Sequence, residues 1–184
     1  MRIERLEAAY EIDIVYRHFP LHPKTPEEGL TLEELFAGRN LDVPRMQAEM
    51  ARRMADEGLD YGTRTRTYNS RLAQELGKWA DTQPGGEAIH DALYRAYFVD
   101  AVNVGDVDAL LTIAGDVGLD VYAAREVLQS RSFSDAVDAD WDLSRRYGVT
   151  GVPTFVAAQK AVVGAQPYEV LENLLQEAGA ELNS

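Results

Sequence analysis

The sequence predicts an α/β fold in which a small sheet is interrupted by a large all-helical insertion, and three observations predict it. Glu11 to Phe19 alternates, with Ile12, Ile14, Tyr16 and His18 on one face and Val15, Arg17 and Phe19 on the other. From about Thr31 to Arg146 the apolar period turns helical. Val152-Pro153 then precedes two strand-like runs, Thr154 to Ala158 and Ala161 to Val163, before a last amphipathic helix.

Each element has a local reason. Ile3, Leu6 and Tyr10 recur at helical spacing, so the chain opens in a helix. The Glu11–Phe19 strand is ended by Pro20 and Pro23, which cannot donate to a ladder. Pro44 suits a first helical turn, and Met46, Met50 and Met54 follow at i, i+4, i+8. Asn69 or Ser70 caps the next helix, and Gly85 or Gly86 opens another, with Ile89, Leu93, Ala96 and Tyr97 on one stripe. Asp106 precedes a helix carrying Leu110, Leu111 and Ala114 that stops at Gly118, and Asp120 caps one carrying Ala124, Val127 and Leu128. Phe133, Val137, Trp141 and Ser144 share a helix ending near Gly148. In the last helix Val170, Leu171, Leu174 and Leu175 form the apolar face.

With 184 residues, 46% of them hydrophobic, the chain suits one domain with an insertion and a sizeable core. A net charge of −13 and a pI near 4.6 argue against nucleic acid and against an anionic membrane surface. No run approaches the roughly 18 apolar residues of a membrane span. Arg2, Glu4, Arg5 and Glu7 at the N-terminus do not read as a signal peptide, so the cytoplasm is the expected setting. Zero cysteines exclude disulfides, thiolate metal sites and thiol catalysis by this polypeptide.

Catalytic and metal candidates are none. His18 and His22 are four apart, but Pro20 and Pro23 prevent the helix that would align them, and no third ligand lies nearby in sequence. His90 sits among polar neighbours and is expected to be solvated. Asp138, Asp140 and Asp142 alternate as in a calcium loop, but Trp141 and Leu143 continue a helix and the required glycine is missing, so a solvated face is expected.

Phe19-Pro20-Leu21-His22-Pro23, Thr67-Tyr68-Asn69-Ser70, Ala96-Tyr97-Phe98, Val149-Thr150-Gly151-Val152-Pro153-Thr154 and Val163-Gly164-Ala165-Gln166-Pro167, in this order, resemble the DsbA-like thioredoxin-fold superfamily. The resemblance is to FrnE-type oxidoreductases and to the related 2-hydroxychromene-2-carboxylate isomerases and kappa-class glutathione transferases. It implies a thioredoxin-like domain over residues 1–30 and 134–184, with a helical insertion over 31–133. It also implies a cis-proline loop at Val152-Pro153, where an extended peptide or the backbone of glutathione pairs with Val152. Gln166, before the last helix, and Asn69 are implied as further peptide or glutathione contacts. A strand-opening kink at Pro153, a turn at Gln166 and an N-cap at Asn69 are the purely structural alternatives.

In that superfamily a buried strand comes first and leads to a Cys-x-x-Cys or a single Ser or Cys at a helix N-terminus. Met1 falls inside the matching helix, so a fold with the first strand missing is expected. Either the Glu11–Phe19 strand pairs directly with Thr154–Ala158, or a homodimer covers the exposed edge. Three functions stay open. One is a DsbA/FrnE-type oxidoreductase whose sequence starts late, without its own catalytic cysteines and inactive in thiol exchange as it stands. The others are a glutathione-dependent isomerase or transferase, and a non-catalytic peptide-binding module.

Overall fold

The structure, a computed structural model, describes residues 2–39 and 41–183. In chain order the elements are α1 (Arg2–Ala9), β1 (Leu30–Thr31), α2 (Leu32–Leu35), α3 (Val43–Asp56), β2 (Arg66–Thr67), α4 (Arg71–Ala80), α5 (Ala88–Phe98), α6 (Val107–Asp116), α7 (Val121–Ser130), α8 (Ser134–Arg146), β3 (Thr154–Ala157), β4 (Lys160–Val163) and α9 (Tyr168–Glu177). The chain divides into two units, residues 1–21 with 139–184 and residues 22–138. The sequence-based division put these breaks at 30/31 and 133/134.

In the first unit β3 and β4 form an antiparallel hairpin, with Thr154 opposite Val163 and Ala157 opposite Lys160. Because side chains alternate across a strand, Phe155 and Val162 share one face. That face packs with Leu6 and Tyr10 of the N-terminal segment and with Leu171 of α9. Leu6, Tyr10 and Leu171 are nearly inaccessible, and full burial of such side chains is worth about 1.5–3 kcal/mol each. The Tyr10 hydroxyl donates to Glu172 (3.4 Å) and accepts from Gln176 (3.0 Å), so the polar end of this buried ring is satisfied.

The expected Glu11–Phe19 strand does not form. Tyr10 makes an isolated bridge with Leu182, and the Glu11 N–H donates to the Glu181 carbonyl at 2.8 Å. Beyond that point no strand flanks the segment among the described residues, and pairing with β3 is absent. The alternation leaves Val15 and Tyr16 exposed rather than in a core. What holds the segment is Asp140, a member of the expected solvated face. Its carboxylate is buried, accepts from the His18 N–H at 3.0 Å, and pairs with Arg17 at 3.3 Å.

The second unit is helical, apart from the short antiparallel pair β1–β2. The apolar stripes of α4 to α7 converge on one core, with Leu76, Ile89, Leu110 and Ala124 fully buried. Helix starts follow side-chain capping: Asp106 accepts from the Ala109 N–H, Asp120 from those of Tyr122 and Ala123, and Thr31 with Glu34 forms a capping box. Gly62 is required by close approach, since a Cβ there would lie 1.9 Å from the Val99 carbonyl oxygen. A charge cluster crosses the unit: the buried Glu75 carboxylate is held by Arg71 Nε (2.7 Å) and by Arg131 Nε and Nη2 (2.6 and 2.7 Å). His90, expected to be solvated, meets the Asp81 carboxylate at 2.7 Å.

Candidate functional site

The hairpin is the element that positions the site. The Pro153 carbonyl accepts from the Gly164 N–H at 2.7 Å, so residues 153 and 164 are a hydrogen-bonded pair. In an antiparallel ladder such pairs alternate with non-bonded ones. Phe155 with Val162 and Ala157 with Lys160 are therefore bonded pairs. Thr154 and Val156 point their N–H and C=O groups away from β4, onto an edge that no strand of the described residues covers. Val152 continues the same edge and is 51% exposed, and neither of its backbone groups has a partner among the described residues. Val152, Val156 and Val163 expose apolar surface beside these groups.

The Val152-Pro153 bond is cis. The Thr154 hydroxyl donates to the Gly151 carbonyl at 2.7 Å, which ties the loop to the start of β3. Gly164 turns the chain out of β4 with a φ of +91°, a conformation that favours glycine.

Gln166 lies in the turn after β4, and its amide donates to the Val163 carbonyl at 2.7 Å. Val163 is opposite Thr154 in a non-bonded pair, so this carbonyl faces outward. Gln166 thus satisfies part of the outer edge of β4. Among the described residues no side chain does the same for the outward groups of β3. Pro167 opens α9 without a side-chain cap, and Glu169 already supplies a negative charge in its first turn.

Asn69 belongs to the helical unit and is bonded there at both ends of its amide. Its Oδ1 accepts from the Arg71 N–H at 2.9 Å, and its Nδ2 donates to the Thr25 carbonyl at 2.9 Å. Asn69, not Ser70, therefore supplies the side-chain cap at the start of α4. Val152, Pro153 and Gln166 come together on one hairpin. Among the described residues no group of three or more His, Asp or Glu side chains could hold a metal ion, and no helix is long and apolar enough to cross a membrane.

Sequence reasoning did not find Asp140, Glu75 or the three outward-facing residues of the β3 edge as a set. For the edge a signal existed: a two-residue turn at Ala158-Gln159 between equal strands fixes the register, and with it which residues face out.

A family model described as DSBA-like thioredoxin domain matches residues 1–176. A solved structure described as a probable DsbA oxidoreductase of Streptomyces coelicolor is 32% identical, with a TM-score of 0.86 over 97% of this chain and 82% of that one. A 2-hydroxychromene-2-carboxylate isomerase structure, 18% identical, has a TM-score of 0.71 over 97% of this chain and 85% of its own, a likeness of fold. An uncharacterized protein of Bacillus subtilis (strain 168), YwbO, is 28% identical over 107 residues. That match takes in 58% of this chain and about half (54%) of the Bacillus protein's length.

Proposed function

The chain belongs to the DSBA-like thioredoxin domain family, and on that premise we propose that it supplies the substrate-binding surface of a DsbA/FrnE-type thiol–disulfide oxidoreductase. An extended peptide, or the backbone of glutathione, adds along Val152, Thr154 and Val156 by β-augmentation. One observation carries this reading: the outward backbone groups of three alternate residues, Val152, Thr154 and Val156, which no strand of the described residues pairs, run beside exposed valines. Backbone pairing there gives affinity, and apolar contact with Val152 and Val156 gives preference for apolar side chains in the ligand.

The thiol is not this chain's contribution. Disulfide exchange needs an attacking thiolate, and the sequence has no cysteine, so the polypeptide performs no thiol exchange by itself. The same fact favours a second reading, a glutathione-dependent isomerase, in which the ligand carries the thiol; the isomerase-like fold is compatible with it. Gln166 spends one N–H on the Val163 carbonyl and keeps its Oε1 to accept from a ligand, a contact secondary to the backbone of Val152. A second copy of the chain on the β3 edge is the homodimeric version of the same pairing, and the cytoplasm is the setting this reading adopts.

The test is fluorescence anisotropy with a labelled extended apolar peptide, competed by S-methylglutathione. Val156→Pro removes an outward N–H and leaves the ladder to β4 intact. The expected result is saturable binding, weakened about tenfold or more in Val156→Pro, the equivalent of one lost hydrogen bond. Unchanged binding by the variant overturns the reading. Competition by S-methylglutathione at lower concentration than by peptide favours the isomerase alternative.

A further inference from the structure

We infer that α3 is a hinged strap, latched by the side chain of Gln47, that opens as one unit from the rest of the helical unit while the core of α4 to α7 stays folded. Burial is the first reason. Of the 14 residues of α3 only Val43 is buried, and Met46 and Met50, on its apolar stripe, are 39% and 44% exposed. In α4, by contrast, Ala73, Glu75, Leu76, Gly77, Trp79 and Ala80 are all buried. Helical stability in proteins comes chiefly from a packed face, and a helix of this length is marginal in water without one. The docking of α3 therefore rests on little apolar surface.

One side chain ties the strap down. Among the described residues, Gln47 is the side chain of α3 that hydrogen-bonds to a distant segment: its Nε2 donates to the Arg64 carbonyl, and its Oε1 accepts from the Tyr61 hydroxyl at 3.1 Å. The ion pair of Arg45 with Glu49 lies within the helix, so it does not resist undocking. An amide that donates at one atom and accepts at the other holds two partners through one side chain, and its loss releases both.

The two ends permit the motion. Gly38, before α3, and Gly58, just after it, have φ of +78° and +71°, and a Cβ at either would meet nothing within 4 Å, so the chain pivots there in open space. At the C-terminal end the Gly58 N–H donates to the Ala55 carbonyl at 3.0 Å and the Leu59 N–H to that of Met54 at 2.9 Å. These bonds travel with the helix, which keeps its terminal closure as it swings. Opening frees the Arg64 carbonyl and the Tyr61 hydroxyl and bares Val43, at the cost of one small contact patch.

The experiment is native-state amide hydrogen exchange of the full chain at low urea concentrations, wild type against Gln47→Ala. The two accounts of α3 give opposite signs. Alanine is the better helix former, so if α3 only frays, Gln47→Ala slows its exchange. If Gln47 is the latch, the same substitution speeds exchange about fivefold even at amides remote from it, such as Arg53 and Ala55, as for one hydrogen bond lost, and leaves Leu76, Ile89 and Leu110 unchanged. Tyr61→Phe, which removes one of the two latch bonds, gives a smaller rise in the same pattern. The α3 amides are also expected to share one urea dependence, shallower than that of α4 to α7, because a unit opening exposes less surface than global unfolding. Slower or unchanged exchange in Gln47→Ala, unequal urea dependences within α3, or an equal rise in α4 to α7 overturns the proposal.

Discussion

Replacing Glu75 tests whether the charge cluster of the helical unit holds its helices together. The carboxylate is fully buried and takes three hydrogen bonds from two guanidiniums. Breaking a buried pair by removing one partner costs about 3–5 kcal/mol, because a charge is left uncompensated. Two features soften the loss. Arg71 keeps Asp138 at 2.6 Å and the Ser134 carbonyl at 2.8 Å, and the Arg131 side chain, 47% exposed, regains water. Glu75→Ala therefore falls at the lower end, about 3 kcal/mol. For a chain of this size that lowers Tm by about 6–12 °C, and Glu75→Gln, which keeps one carbonyl acceptor, by roughly half as much. Differential scanning calorimetry at neutral pH reads both. A Tm change under about 2 °C in Glu75→Ala would refute the reasoning.

Further predictions follow from the same contacts. Burial raises the Glu75 pKa, but the hydrogen bonds and charges of Arg131 and Arg71 outweigh it and hold the carboxyl below its ordinary 4.5. The cluster's stabilisation is therefore full above that value and is lost as pH falls through the lower folded value; acid titrations of the wild type and Glu75→Gln should converge there. Gly62→Ala should destabilise by about 2 kcal/mol or more, since the added methyl meets the Val99 carbonyl, whereas an alanine at Gly151, where φ is not positive and no atom lies within 4 Å, meets no neighbour; urea midpoints measure the difference. Asp140→Asn should leave the helical core intact but raise amide exchange at His18, whose N–H loses a charged acceptor; unchanged exchange there would contradict the anchoring role. Burial and then the positive charges of Arg39 and Arg64 hold the His22 imidazole below its ordinary 6.5, so Arg39→Gln should move it upward, and a fixed or lower value by NMR titration would show that the guanidinium does not face the ring.

The helical unit was legible because its information is local. Ile89, Leu93, Ala96 and Tyr97 recur at helical spacing, and Asp106 and Asp120 stand where orphan N–H groups need an acceptor. The hairpin was legible because Val152-Pro153 and the Gly164 turn bound two short β-rich runs. Glu11–Phe19 shows the limit of such signals. Alternation describes a two-faced ribbon but does not provide a neighbour, and without one Val15 and Tyr16 remain in solvent. Asp140 was misread because its partner, Arg17, lies 123 residues away, and helical period alone assigns a carboxylate to water. Glu75 was hidden in the same way, since Arg131 reaches it from a left-handed residue 56 positions further on. At the candidate site, sequence pointed to Val152 and Gln166, but telling them apart needed the register: Gln166 covers the outward carbonyl of Val163, and no strand of the described residues covers the β3 edge.

The central claim, that an extended ligand pairs with the open edge of β3, is tested most directly by residue-resolved amide hydrogen exchange with and without saturating extended peptide. The account predicts new protection at Val152, Thr154 and Val156, with little change at Phe155 and Ala157, whose N–H groups already face β4. Protection confined to residues 22–138, or bound peptide with those three amides exchanging as fast as before, would contradict it.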